Sequence, residues 1–194
     1  IPPVISSLAY SPDGNVLAVS GYREVLLHKS DGSKLLARLL GKSDRIESIV
    51  YATNSNMLVV VGGTPARFGE VQIWDTGTNK LIHSLKSTFD TIYGASLSPD
   101  NSFLAFGCTD ETARIISVKD QKELVRFDNH SDWVLGTVFT TDGSHFVTGG
   151  RDTALKLTEV KSGSFVDDIN ASNKGSGPIH KIARHPKLDQ VLSG

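Results

Sequence analysis

Apolar residues recur along this chain at long, nearly equal intervals. With Pro12 of SPDG taken as an anchor, the matching turn positions are Thr53, Pro99, Thr141 and Pro186. Seven residues before each anchor stand Ile5, Ile46, Ile92, Val134 and Ile179, and five residues after stand Leu17, Leu58, Leu104, Phe146 and Val191. All ten positions are apolar in a chain that is 39% hydrophobic, so the repeat is real and has to be read before any single element. Each unit predicts four short strands. The first precedes the anchor, as in Ser7–Tyr10 and Thr137–Phe139, and a turn of Pro-Asp-Gly type follows. The second is a continuous apolar run suited to a strand covered on both faces: Val16–Val19, Met57–Val61, Phe103–Phe106 and Phe146–Thr148. The third alternates, around Val25–Leu27, Val71–Ile73, Ala113–Ile115 and Leu155–Leu157. The fourth has apolar residues at two matched places, Leu36, Ile82, Leu124 and Val166, then Leu39, Leu85, Phe127 and Ile169. The units span about 4–45, 46–91, 92–133 and 134–177, with a partial fifth at 178–194.

Four-stranded units at this period predict an all-β fold, a β-propeller of about four and a half blades. The motifs resemble those of WD repeats. Trp74-Asp75 closes the third strand of the second unit, and Asn129-His130-Ser131-Asp132-Trp133 resembles the Gly-His that leads into a blade. The resemblance implies a structural network in the fourth unit, in which His130 bonds Thr148, Thr148 bonds Asp152, and Thr158 stands where the Trp would be. In the third unit Asp110 keeps the turn position while Thr88 replaces the His. Longer stretches, among them GGTPARFGEVQIWD and GRDTALKLTEV, are similar to the WD-repeat module of large planctomycete proteins that also carry a c-type cytochrome domain. That similarity implies company with a haem domain and a location outside the cytoplasm. It implies no reaction.

Composition narrows the function. Twenty Lys+Arg balance 21 Asp+Glu with no block of like charge, so nothing marks a nucleic-acid or anionic-lipid footprint. The single cysteine, Cys108, excludes an internal disulfide and a CxxCH haem attachment within these residues, so no cofactor is expected in this chain. The six histidines lack metal-ligand spacing and supporting carboxylate or thiolate sets, so no metal site is expected. No nucleophile elbow or phosphate loop is present. A sequence opening at Ile1-Pro2-Pro3 with an unfinished fifth unit reads as part of a larger, seven-bladed ring, or as a half-ring completed by another chain or copy.

The expected function is therefore a non-enzymatic interaction module that offers a loop-built face to a protein partner. A redox-associated subunit that shields or positions a haem domain elsewhere is the alternative. In a propeller the second-to-third and fourth-to-first connections emerge together, which places Tyr22, Arg23, Arg45, Tyr93, Trp133 and Arg151 on one face by register. The second unit adds an insertion there, about four residues around Thr64–Gly69, carrying Arg67 and Phe68. Arg beside an aromatic is the composition of interface hot spots; Phe68 as a plug of its own loop is the alternative, and Trp133, which starts an inner strand, reads first as packing between blades.

Overall fold

A computed structural model describes residues 4–53, 56–170, 177–188 and 190–194. The chain divides into two compact units, Ile1–Ile92 and Tyr93–Gly194. In the first, β1 (Leu8–Tyr10), β2 (Val16–Ser20), β3 (Glu24–Lys29) and β4 (Leu35–Leu40) form one antiparallel meander. A second meander holds β5 (Arg45–Tyr51), β6 (Met57–Thr64), β7 (Phe68–Asp75) and β8 (Lys80–Thr88). In the second unit the third meander is β9 (Ile92–Leu97), β10 (Phe103–Cys108), β11 (Ala113–Ser117) and β12 (Glu123–Phe127). The fourth is β13 (Val134–Phe139), β14 (His145–Gly150), β15 (Leu155–Glu159) and β16 (Phe165–Asp168). A two-stranded sheet, β17 (Ile182–Arg184) with β18 (Val191–Ser193), is the beginning of a fifth. These are the blades of a partial β-propeller, and the fold class is all-β. The polar segment Asn170–Gly177, read from sequence as a long connection, lies mostly outside the described residues.

The turn between the first and second strands is built the same way three times. Asp13, Asp100 and Asp142 each accept the hydroxyl of the residue two positions earlier (Ser11, Ser98, Thr140) and the backbone N–H two positions later. Those side-chain hydroxyls hold all three carboxyls below their ordinary range. The residue after each Asp adopts φ between 60° and 72°, and it is Gly14, Asn101 and Gly143, the residue types that tolerate that region.

A second device recurs between the third and fourth strands. All four blades slip register there, after Leu27, Ile73, Ile115 and Leu157. The residues left unpaired by the slips are Leu36, Ile82, Leu124 and Val166. This explains a pattern the sequence shows without explaining. The first apolar place of the fourth strand is a bulge residue exposed to solvent, whereas Leu39 and Phe127 at the second place are buried. Ile169 departs from that rule: it lies beyond β16 and is exposed.

Each unit packs its sheets face to face. In the first, Ala18, Val25, Leu27 and Leu39 of one blade meet Ile46, Ile49, Leu58, Val60 and Trp74 of the next. In the second, Ala105, Ala113, Ile115 and Phe127 meet Val134, Phe139 and Phe146, while Val147 and Leu155 meet Ile179. Backbone approach is close where blades meet. A Cβ on Gly94 or Gly107 would lie 2.2 Å from the carbonyl oxygen of Leu135 or Val134, so only glycine fits. Cys108 is buried there too, and burial pushes its thiol up to about 12, which leaves it chemically quiet.

Candidate partner-binding surfaces

The fourth blade shows how a buried network shapes an exposed loop. His130 Nε2 lies 2.7 Å from Thr148 Oγ1 and Nδ1 lies 2.8 Å from Asp152 Oδ2. A carboxylate can only accept, so Nδ1 carries the proton and the Thr148 hydroxyl donates to Nε2. Burial lowers the His130 pKa, and the ring is neutral. Asp152 also accepts the backbone N–H groups of Ser131 and Ala154. Burial alone would raise its carboxyl. His130 and these donors outweigh that and hold it low.

The sequence reading needs one correction. It had Thr148 bonding Asp152, but the imidazole sits between them. The two ring nitrogens lie on opposite edges of the imidazole, so His130 reaches Asp152 with Nδ1 and Thr148 with Nε2 and holds the two side chains apart. Thr158, at the Trp place, is fully buried and its hydroxyl has no hydrogen-bond partner among the described residues.

The other blades solve the same packing differently. In the second, Trp74 is buried and donates Nε1–H to Gln72 Oε1 at 3.0 Å. Gln72 and the Ser43 hydroxyl in turn donate to Glu70 Oε2, and the Ser84 hydroxyl donates to Oε1. Sequence reasoning missed this network. Its signal was present: Glu70 and Gln72 are polar at alternate places in the otherwise apolar run of β7. Asp75 serves the following turn instead, accepting the N–H and hydroxyl of Thr78. Asp110 of the third blade accepts the Thr112 hydroxyl and pairs with Arg114 at 2.6 Å. Thr88 pairs with Gly69 across β7 and β8, and its hydroxyl donates to the Asp90 carbonyl.

Two groups of the predicted face residues come together, one in each unit. In the first, Arg23 sits at φ 59° in the β2–β3 turn, pairs with Asp44 at 2.6 Å and lies 5.2 Å from the Tyr22 ring. The Tyr22 hydroxyl also reaches Asp44, which precedes the exposed Arg45. The insertion proves to be ordered hairpin rather than loose loop. β6 and β7 lengthen until Thr64 pairs with Phe68, and the turn is only Pro65-Ala66-Arg67. Relative to the fourth blade, β6 is two residues longer than β14 and β7 three longer than β15, while the turn is one residue shorter, so the ladder stays paired. Arg67 is exposed at the tip, while Phe68 is half-buried beneath Lys86, whose Nζ lies 4.4 Å from the ring.

In the second unit Tyr93, Trp133 and Arg151 form a ladder. The Tyr93 and Trp133 rings stack at 5.9 Å and 21°, and the Arg151 guanidinium lies 4.8 Å from the Trp133 centroid. Backbone bonds hold the arrangement: Arg151 N–H donates to the Trp133 carbonyl, and Trp133 N–H to Asp132 Oδ1.

Comparison with known proteins agrees with this architecture. The WD40 family (WD domain, G-beta repeat) matches residues 79–117 and 121–158. Each match runs from the fourth strand of one sheet to the third strand of the next. The chain is 27% identical over 157 residues to WD repeat-containing protein 1 of Rattus norvegicus, covering 77% of this chain and 24% of the relative. The Xenopus tropicalis protein of that name is 25% identical over 150 residues, with the same coverage. WD repeat and SOCS box-containing protein 1 of Danio rerio is 29% identical over 94 residues, 47% of this chain and 22% of the relative. The chain thus spans about a quarter of the length of these curated relatives. Two WD40 repeats, at residues 79–117 and 121–158, thus lie in phase with the strands of a partial β-propeller built from meanders of one period.

Proposed function

We propose that this module is a non-enzymatic scaffold that binds a protein partner through side chains held on rigid turns. The observation that carries the reading is the Tyr93–Trp133–Arg151 ladder, since Trp, Tyr and Arg on preorganised backbone are the residues that dominate interface energies. Folding has already ordered the loops, so binding spends little entropy on them. The test is affinity capture with wild type, Trp133→Ala/Arg151→Ala and Arg67→Ala/Phe68→Ala, each first shown to melt like wild type. Loss of a specific protein from the first variant supports the ladder. Loss from the second extends the surface to the hairpin. Unchanged recovery by both variants overturns the proposal.

A second interface has its own observation. The residue seven before the anchor is buried in the packed pairs, as Ile46 (3% exposed), Val134 and Ile179, but its counterpart Ile5 in the first blade is 59% exposed. Leu8 and Tyr10 of β1 are equally bare. We infer that this face takes another four-stranded blade presenting small and aliphatic side chains, as the first blade does to the second. Whether that blade comes from the remaining ring or from a second copy, Leu8→Glu lowers the melting temperature of the assembled protein. No change would overturn it. The redox-associated alternative rests on resemblance alone, and haem absorbance in the parent protein tests it.

A further inference from the structure

The ladder in the second unit also carries information about what it binds. The Arg151 guanidinium carbon lies over the Trp133 ring, 4.8 Å from its centroid, so the cation is held against the aromatic face. Among the described residues its ion-pair partner is Asp132, whose Oδ2 lies 3.9 Å from Nε, outside hydrogen-bond reach. Asp132 is occupied on its other oxygen by the Trp133 N–H, so it neutralises Arg151 without saturating it. The Arg151 side chain is 46% exposed. The backbone beneath is locked from both sides, because Asp152, next to Arg151, and Ser131, two residues before Trp133, share the bonds that anchor His130.

We propose that Trp133 and Arg151 form a docking point for an acidic peptide segment, its Asp or Glu carboxylate accepting from the Arg151 fork and a neighbouring apolar side chain resting against the Tyr93–Trp133 edge. A planar guanidinium fork matches a carboxylate in two parallel bonds. Nucleic acid would also stack on such a ladder. It is disfavoured by the Asp132 beside the arginine and by a net charge of −1 with no basic stripe. The inference rests on the partner-binding reading above and names the partner's chemistry.

The test titrates the 194-residue chain with a blocked decapeptide of alternating Glu and Leu, its Gln-for-Glu and Lys-for-Glu counterparts, and a ten-residue oligo-dT. Tryptophan fluorescence and anisotropy report binding. The Glu peptide binds about tenfold tighter than the Gln peptide, the ratio expected for one charge-assisted contact. Arg151→Gln abolishes that preference, and Asp132→Asn, which removes the competing charge while keeping Oδ1, strengthens binding. Equal affinity for the Glu and Gln peptides, an unaltered preference in Arg151→Gln, or tighter binding of oligo-dT would each overturn it. If capture depends on the ladder while the Glu peptide shows no preference, the surface stands and the acidic assignment falls. If capture is indifferent to the ladder, the surface itself falls.

Discussion

Removing the Asp152 carboxylate is the sharpest probe of how the fourth blade holds its loops. Asp152→Ala deprives three donors of their acceptor: His130 Nδ1–H and the backbone N–H groups of Ser131 and Ala154. The His130 side chain is fully buried, so water cannot replace the lost partner. A stranded buried donor costs about 1–3 kcal/mol, and the two less buried N–H groups add to that, which gives roughly 2–4 kcal/mol in all. For a chain of this size that is a fall in melting temperature of roughly 5–12 °C. Circular dichroism across a thermal ramp measures it. Asp152→Asn keeps one carbonyl acceptor and loses about half as much. A melting curve for Asp152→Ala within a degree of wild type would refute this, because it would mean that the His130 ring is supported by packing against Phe127 and not by its hydrogen bonds.

Three further outcomes follow from the same geometry. Burial lowers the folded pKa of His130 below its unfolded value, so the unfolded state takes up its proton first and stability falls as pH drops below about 6.5. Melting temperatures between pH 7.5 and 5 decline for wild type and flatten for His130→Gln, and parallel slopes would refute this. Thr158→Val replaces a buried, unpartnered hydroxyl with a methyl of the same shape, and denaturant titration shows a gain of about 0.5–1 kcal/mol. A loss would show that the hydroxyl has a partner. Glu70→Ala strands the buried Ser43 hydroxyl and Gln72 amide and leaves the exposed Ser84 hydroxyl to water, costing about 2–4 kcal/mol by chemical denaturation with a shift in Trp74 fluorescence, whereas Glu70→Gln loses less.

The sequence by itself determined the period, the strand count per unit and the turn chemistry. These depend on local rules: an apolar run pairs with its neighbour along the chain, and an Asp between hydroxyl residues closes its own turn whatever surrounds it. It also located His130, Thr148 and Asp152, and named Tyr93, Trp133 and Arg151 as surface residues. Only the tertiary structure decided how they are joined. Which ring nitrogen of His130 faces Asp152 depends on where β14 sets Thr148, and the stacking of Tyr93 on Trp133 needs β9 brought beside the start of β13. The bulges are the clearest case. Leu36, Ile82, Leu124 and Val166 recur as regularly as any core position, three residues before Leu39, Leu85, Phe127 and Ile169, an odd interval that sets the two places on opposite faces of a strand but does not say which face is covered. Only the packed sheets decide that the first place is the solvent one, and only the strand pairing shows that a one-residue slip against the third strand leaves it unpaired as a bulge.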